Sequence, residues 1–388
     1  MTRDTDTPIN ELREAVARQL GPNAVPGAVL AVSRDGQTWV EAIGRASIDG
    51  PPMSPDAVMR ISSMTKPLTA VLTLMLVEDG TIALADPVER WLPELADRQV
   101  VRRLDGPVTD TEPAERAITV EDLLTMRMGF GFAFEVDACP LADLARARGL
   151  GLGPPLPSAI AHTPDEWLAR FAELPLMDQP GRTWRYDAAY FVLGVLLARA
   201  GRTTLPELMR ERLLEPLGMT STRFVVRDPT RLIPSYAQNG SGGLAVFDPA
   251  EGSAWLEPPV FPHAGGGLVS TASDYLRFGE FLLSKGALLS AESIRAMTTD
   301  QLTPEQRTSE PAAIVLDGAG WGYGVSVSPE RSSPPERFGW GGGLGTSWYV
   351  YPRHNATAVL LTQVMPPPEP LSTTFWSTFE AGIAAAAG

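Results

Sequence analysis

The chain of 388 residues is long enough for one large domain or two closely packed ones, and its apolar content of 44% allows a sizeable core. Its net charge of −14 argues against binding to nucleic acid or anionic membrane surfaces and disfavours a polyanionic substrate. A single cysteine, Cys139, excludes an internal disulfide and a cysteine-based metal cluster.

Neither the start of the chain nor its apolar runs carry a membrane or export signal. Residues 1–6 lack a basic segment followed by an apolar run, and no stretch of about 18 apolar residues occurs. We therefore expect no signal peptide and no membrane span, and we predict a cytoplasmic protein. The sequence carries no signal of the oligomeric state.

The first part of the chain predicts a helix, a β-hairpin and a second helix. Residues 10–20 place apolar side chains at helical spacing. The apolar segments 27–32 and 37–42 flank an Asp-Gly pair, which is a strong hairpin signal. A longer helix is predicted over 63–78, followed by a glycine at position 80.

Residues 81–225 predict mainly helices. Thr119 and Thr163 each precede two acidic residues at the start of an apolar pattern, which is typical of a helix N-terminus. The predicted helices cover 120–126, 163–171, 187–200 and 205–215. Residues 131–162 contain a run of glycines and prolines, 149–155, which is predicted to form a loop rather than a linker between independent domains.

The last part of the chain returns to strands. Residues 226–263 carry few helical signals; the elements predicted after them are a helix over 272–285, strands over 322–327, 346–351 and 356–364, and a helix over 371–387. Strands at both ends with helices between them predict an α+β fold, in which both chain ends build one antiparallel sheet flanked by helices. We expect one domain from 1–85 with 226–388, a mostly helical domain over 86–225, and the active site between them.

A serine and a lysine at helical spacing give the chain its first chemical signal. The chain has thirty arginines and two lysines, and lysine differs from arginine in that it can lose its proton near neutral pH. Ser63 and Lys66 lie three residues apart at a predicted helix start, so they share one face near the positive end of the helix dipole. The spacing alone is equally compatible with a helix-capping serine and a solvent-facing lysine.

The histidines do not predict a Ser-His-Asp triad. The three histidines, His162, His263 and His354, lie in predicted loops, and no Gly-x-Ser-x-Gly segment is present. A lysine-assisted serine needs another proton relay, for which tyrosine is a plausible choice. The same sparse histidines give no ligand spacing, so we predict no metal and no organic cofactor.

Several segments, in order along the chain, resemble those of the class C β-lactamase-like serine hydrolases. The nucleophile segment is Ala57–Ala70, and the tyrosine motif is Pro180–Ala188. The other matching segments are 80–88, 119–125, 265–271 and 339–343. Their order makes the resemblance far more specific than any one motif, and it implies the fold of β-lactamases and penicillin-binding proteins.

The resemblance implies that Tyr186 faces Ser63 and Lys66. A cation beside a phenol favours the phenolate, while desolvation and a nearby positive group favour a neutral lysine. Either Lys66 or Tyr186 could then accept the Ser63 proton, and the two would titrate as a coupled unit. Considered by itself, Tyr186 is also compatible with a packed aromatic side chain at a helix start.

Two departures from the β-lactamase pattern bear on the substrate. Ala188 stands where the tyrosine motif has asparagine, and Trp340-Gly341-Gly342 replaces the late Lys-Thr-Gly motif, whose lysine helps to bind the substrate carboxylate. Trp-Gly-Gly resembles the family VIII carboxylesterases instead. By this resemblance Trp340, Gly341 and Gly342 contact substrate, and the backbone N–H groups of Ser63 and Gly343 form the oxyanion hole. The alternative for this segment is a glycine-rich turn between strands.

These features together predict a serine carboxylesterase that acts on a small-molecule ester through an acyl-enzyme on Ser63, with Lys66 and Tyr186 moving its proton. An acyltransferase of the same fold, an amidase and a weak β-lactamase remain alternatives within the enzymes. A catalytically inactive binding protein is the alternative outside them, although the intact Ser63, Lys66 and Tyr186 set argues against it.

Overall fold

The computed structural model describes residues 7–385 except 22, 152, 154–159, 241, 285–287, 330–331 and 367–368. Its largest sheet has the strand order β2-β1-β13-β12-β11-β10-β9. The strands are β1 Gly27–Arg34, β2 Gln37–Gly44, β9 Gly320–Trp321, β10 Ser326–Val327, β11 Phe338–Gly342, β12 Thr346–Tyr351 and β13 Ala356–Thr362. Since β1 pairs antiparallel with β13, from Ala28 opposite Thr362 to Arg34 opposite Ala356, the sheet joins both ends of the chain as predicted.

The β1–β2 hairpin forms because its two turn residues tolerate a left-handed backbone. Asp35 has φ 51° and Gly36 has φ 79°, which is the geometry of a tight two-residue hairpin turn. Nearly all of β1 is buried, because helices cover both faces of the sheet. Leu30 packs on one face with Phe375 of the C-terminal helix, whereas Val29 packs on the other with the main core.

In the sequence, most of the helices lie between β2 and β9, that is, between the N-terminal and the C-terminal strands of the large sheet. They are α1 Thr7–Ala17, α2 Thr65–Glu78, α3 Val120–Leu124, α4 Pro140–Ala147, α5 Pro164–Ala172, α6 Ala189–Gly201, α7 Leu205–Met209, α8 Ala272–Ser284, α9 Ala291–Met297, α10 Pro304–Thr308, α11 Glu310–Leu316 and α12 Glu369–Ala385. The centre of the core is formed by α2 and α6, because residues 65–76 and 189–197 are buried on every side.

Small sheets complete the fold. The remaining strands are β3 Met59–Arg60, β4 Gln99–Val101, β5 Thr111–Pro113, β6 Ser235–Gln238, β7 Leu244–Asp248, β8 Val269–Ser270 and β14 Val364–Met365. β3 pairs with β8, β4 with β5, and β6 with both β7 and β14. The pairing of β6 with β14 attaches the segment 226–263 to the C-terminal strands.

The structure corrects several predicted elements. The helix α4, which was not predicted, lies before the predicted loop 149–155, whose residues 152, 154 and 155 lie outside the described part. The predicted strand 322–327 is reduced to the two residues of β10, and α9, α10 and α11 precede it. The predicted helix ends at 285 and at 386–387 also lie outside the described residues.

The proposed division of the chain stays a prediction that the element order supports. The sheet strands β1, β2 and β9–β13 all fall within 1–85 and 226–388, whereas α3 to α7 fall within 86–225. Within the described residues, no helix combines the length and the apolar character that crossing a bilayer requires.

Candidate active site

Ser63 lies in the single 3₁₀ turn Ser62–Met64 that leads into α2. Ser62 before it has φ 45°, a left-handed conformation that is rare for a serine and common at functional turns. The residue that caps α2 is Met64, and no side chain caps this helix. Ser63 is therefore not a capping serine, and its hydroxyl contacts Lys66 and Tyr186 instead.

Contacts from three other parts of the fold hold the Ser63 turn in place. The Thr346 hydroxyl of β12 donates to the Ile61 carbonyl at 3.2 Å, and the Tyr275 hydroxyl of α8 donates to the Met64 carbonyl at 2.5 Å. Just before the turn, Arg60 is buried and forms an ion pair with Asp248 of β7. These bonds come from distant segments, so the position of Ser63 depends on the complete fold.

Lys66 is completely buried, and its amine contacts three groups. Its Nζ donates to Ser63 Oγ at 3.0 Å and to the Gly265 carbonyl at 2.8 Å, and it lies 2.6 Å from Asp187 Oδ1. A Cβ on Gly265 would lie 2.9 Å from Tyr190 Cβ and 3.3 Å from Lys66 Nζ, so glycine lets this carbonyl approach the amine.

The surroundings of Lys66 keep it charged. Burial by itself lowers the pKa of the amine, but the negative charge of Asp187 and the neighbouring Tyr186 outweigh it, so the pKa of Lys66 is raised. The prediction that desolvation pushes this lysine towards neutrality was therefore wrong. Asp187 is the residue that sequence reasoning missed, although an acidic side chain directly after the tyrosine of the motif was a visible signal.

Tyr186 completes the contacts around the serine. Its hydroxyl lies 2.7 Å from Ser63 Oγ and accepts a hydrogen bond from Trp340 Nε1 at 3.0 Å. The Lys66 amine lies 4.5 Å from the centre of the Tyr186 ring. The preceding residue, Arg185, is buried and paired with Asp178 and Glu135, which fixes the chain where it enters the site.

The glycine-rich end of β11 lies against the Ser63 turn. A Cβ on Gly342 would lie 2.2 Å from the Ile61 carbonyl oxygen, so only glycine fits between this strand and the turn. Gly343 follows it as an exposed residue of the turn into β12. The segment is thus a glycine-rich turn between strands, and it also contributes to the site.

A cavity of about 540 Å³ opens over these residues. Its walls include six of the residues singled out from the sequence: Ser63, Tyr186, Trp340, Gly341, Gly342 and Gly343. Lys66 is fully buried and is not part of the cavity wall, but its neighbours Ser63, Tyr186 and Asp187 are. The structure therefore brings every predicted site residue to one place. A hydrophobic wall comes from Phe132, whose ring stacks on Tyr186 at 6.1 Å.

No histidine contacts the serine among the described residues. His263 is buried beside Gly265, and desolvation lowers its pKa to about 3, with the charges of Asp187 and Lys66 acting in opposite directions. It is consequently neutral, and it packs on Phe191 with ring centres 3.8 Å apart. The same described residues contain no cluster of three potential metal ligands.

Comparisons with known proteins identify the family. The family model described as Beta-lactamase matches residues 12–382. Protein Rv1367c of Mycobacterium tuberculosis is 39% identical over 88% of this chain and 86% of its own length, and Esterase EstB of Burkholderia gladioli is 31% identical over 87% and 85%. The solved structure of EstCE1, described as a hydrolase with promiscuous acyltransferase activity, superposes with a TM-score of 0.79 at 22% identity and covers 97% of this chain and 98% of that one. The chain therefore belongs to the beta-lactamase family and is a serine hydrolase with the fold of that family.

Proposed function

We propose that the protein is a serine carboxylesterase that forms its acyl-enzyme on Ser63. The observation that carries this proposal is the position of Ser63 Oγ, which lies 2.7 Å from the Tyr186 hydroxyl and 3.0 Å from Lys66 Nζ beneath an open cavity. A serine that contacts two proton-transferring groups is the arrangement of an activated nucleophile. The relationship to a protein named as an esterase, EstB, supports the same function.

The charge of Lys66 favours Tyr186 as the general base. A lysine held as ammonium by Asp187 cannot accept the Ser63 proton, which leaves the Tyr186 oxygen, 2.7 Å from Ser63 Oγ, as the acceptor. The Trp340 N–H group donates to the same oxygen at 3.0 Å. We therefore assign proton acceptance to the Tyr186 oxygen, and we assign the hydrogen-bond support of that oxygen to Trp340.

The proposed reaction proceeds in two steps. Ser63 Oγ attacks the ester carbonyl carbon while its proton passes to the Tyr186 oxygen, and the tetrahedral intermediate collapses as that proton passes to the departing alcohol. Water then attacks the acyl carbon and gives one proton to the same Tyr186 oxygen. That oxygen passes the proton to Ser63 Oγ as the bond between Ser63 and the acyl carbon breaks and the carboxylic acid leaves. The backbone N–H groups of Ser63 and Gly343, both at the cavity wall, are proposed to stabilise the oxyanion.

The charges around the cavity favour an uncharged ester as substrate. Trp340 occupies the position where β-lactamases carry a carboxylate-binding lysine. Arg337 also lines the cavity, but it donates to Glu380 at 2.9 Å, so its charge is compensated. Asp187 is compensated in the same way by Lys66. A neutral ester fits this lining better than a β-lactam carboxylate does. We therefore favour esterase activity over amidase and β-lactamase activity.

Acyl transfer is the second candidate. The description of EstCE1 joins hydrolysis with acyltransferase activity in one protein of this fold. The two reactions share the first step and differ only in whether water or an alcohol takes the acyl group from Ser63. Adding a primary alcohol to the assay and measuring the new ester against the free acid separates them.

A chain-length series of p-nitrophenyl esters, together with a serine-reactive phosphonate and intact mass measurement, tests the proposal. We expect ester hydrolysis and the addition of one phosphonyl group per chain. A folded protein that neither hydrolyses any ester of the series nor takes up the label would contradict the esterase proposal and leave the inactive binding protein.

We predict that Asp187→Asn lowers kcat/KM by about 10- to 100-fold, as expected for the loss of a charged contact at a buried cation. The raised pKa of Lys66 keeps its ammonium form present as the pH increases. Without Asp187, burial is opposed by Tyr186 alone, so that pKa should fall. The alkaline limb of the pH profile should therefore move to lower pH. Asp274→Asn, which removes another buried carboxylate, is the matched control and should leave the limb in place.

We also predict that Trp340→Phe lowers kcat/KM by about tenfold, with most of the loss in kcat. Phenylalanine keeps an aromatic ring against Tyr186 and Trp321, whereas the N–H donor to the Tyr186 hydroxyl is lost. The measurement is the steady-state kinetics of the preferred ester beside Trp39→Phe, a tryptophan of β2. Unchanged kcat in the Trp340 variant would limit Trp340 to lining the cavity.

A further inference from the structure

A second cavity, larger than the first, lies between the C-terminal half of α6 and the segments 214–227 and 258–262. Its volume is about 1320 Å³, against about 540 Å³ for the cavity over Ser63. The two cavities have no described lining residue in common. The second cavity is therefore a separate feature, which the proposed ester hydrolysis does not use.

Positive charge is concentrated at this second cavity. Arg202, Arg223 and Arg227 line it, and none of them forms an ion pair with a carboxylate of the described residues. Arg199 and Arg210 line it too, but both are paired with acidic side chains. Three guanidinium groups without an ion-pair partner in the described part of the chain, around one cavity, favour an anionic ligand.

The environment of Arg223 supports this conclusion. Its side chain is half-buried and donates to the Thr220 carbonyl. Burial, followed by the positive charge of Arg227, lowers the pKa of the Arg223 guanidinium, although Asp274 and Glu215 act in the opposite direction. An anion bound between Arg223 and Arg227 would supply the charge that these two groups lack.

The floor of the cavity is apolar. Leu214, Met219, Phe224 and Phe261 form it, and Val260 stands at the rim with 51% of its surface exposed. Because Val260 is this exposed and lies near the unpaired arginines, the cavity has an apolar surface next to a cationic one. A ligand that fits both has a charged head and a hydrocarbon chain.

We propose that this cavity is a second binding site, for a carboxylate that carries an apolar chain. We also propose that ligand binding there changes the contacts of Lys66. Asp165, Glu207 and Glu215 also line the cavity, and they disfavour a head group with more than one negative charge. A fatty acid is the simplest molecule of this class. A fatty acid is also the product that the proposed hydrolysis of an aliphatic ester releases. Binding of this product at the second cavity would therefore change the activity at Ser63.

The route to Lys66 is a short, continuous segment of chain. The cavity wall 258–262 continues into His263, whose carbonyl accepts the N–H groups of Gly266 and Gly267 and so closes a tight turn. The Gly265 carbonyl within this turn accepts the hydrogen bond from Lys66 Nζ at 2.8 Å. A ligand that displaces the wall therefore moves a direct partner of the catalytic lysine.

Calorimetric titration with decanoate below its micelle concentration tests the binding, and this part does not depend on esterase activity. We expect the wild-type chain to bind decanoate, and the Arg223→Gln/Arg227→Gln variant to bind it about tenfold or more weakly. Val260→Glu, at an exposed position, should weaken binding as well. Arg295→Gln, an exposed arginine of α9 outside both cavities, is the matched control and should bind like wild type.

The chemistry of the ligand is tested with decanol and decyltrimethylammonium, which share the chain but lack the anion. Both should bind more weakly than decanoate. Equal affinity of the arginine variant, or of decanol, would overturn the assignment of the site. In the ester assay we expect decanoate to change kcat in wild type and to lose that effect in the arginine variant. Purely competitive inhibition would overturn the coupling to Lys66 while leaving the binding result intact.

Discussion

Replacing Ser63 by alanine is expected to lower ester hydrolysis by about a thousandfold or more and to abolish phosphonate labelling. The alanine variant lacks the oxygen that would form the acyl-enzyme, and no other described hydroxyl group contacts both Lys66 and Tyr186. The side chain does not cap α2, so its removal should leave the fold intact. Steady-state kinetics and intact mass after labelling measure the two effects.

The adjacent serine gives the matched comparison. Ser62 precedes Ser63 in the same turn, but only Ser63 is hydrogen-bonded to Lys66 and Tyr186 in the structure. Ser62→Ala should therefore still add one phosphonyl group per chain. Labelling of the Ser63→Ala variant would show that the assignment of the nucleophile is wrong. Both variants should also unfold at the temperature at which the wild-type protein unfolds, since a lower unfolding temperature would make the comparison invalid.

Those parts of the fold with strong local signals were predictable from the sequence. The Asp-Gly turn fixed the β1–β2 hairpin, and the threonines at 119 and 163 each form a capping box at a helix start. The short helices α9, α10 and α11 were not predicted, because five to seven residues span less than two turns and carry little periodicity. The helix α4 was missed because a glycine- and proline-rich stretch follows it.

The members of the site were predictable, whereas the charge of its lysine was not. Ser63, Lys66, Tyr186 and Trp340 belong to motifs, and the structure places them in mutual contact. The ionisation of Lys66 depends on the balance between burial, which lowers its pKa, and the charges around it, which raise it. Only the three-dimensional arrangement of Asp187 shows which effect is larger.

Asp187 was missed for a geometrical reason. Neighbouring residues on a helix point about 100° apart, so the residue after Tyr186 would be expected to face elsewhere. The helix α6 begins only at Ala189, and residues 186 and 187 precede its first turn. In that non-helical segment both side chains reach Lys66, Tyr186 with its ring and Asp187 with its carboxylate.

Replacing Tyr186 by phenylalanine is expected to lower kcat/KM by about 10²- to 10⁴-fold, the range for loss of a general base. The variant keeps the ring that packs against Phe132 and Lys66 and loses only the hydroxyl that contacts Ser63 and Trp340. Because the same oxygen serves attack by Ser63 and attack by water, acylation and deacylation should both slow. Rapid-mixing kinetics with a p-nitrophenyl ester resolves the two steps.

Tyr190 provides the matched control for this prediction. It is a buried tyrosine whose ring lies 5.8 Å from Lys66 Nζ, and its hydroxyl is directed at the Leu124 carbonyl rather than at Ser63. Tyr190→Phe should therefore retain activity within about tenfold of wild type, since it loses one weak hydrogen bond. The competing assignment makes Lys66 the base and predicts a different order of losses. If Tyr186→Phe remained active while Lys66→Met did not, the proton would have to pass to Lys66, and the ammonium state assigned to that lysine would have to be abandoned.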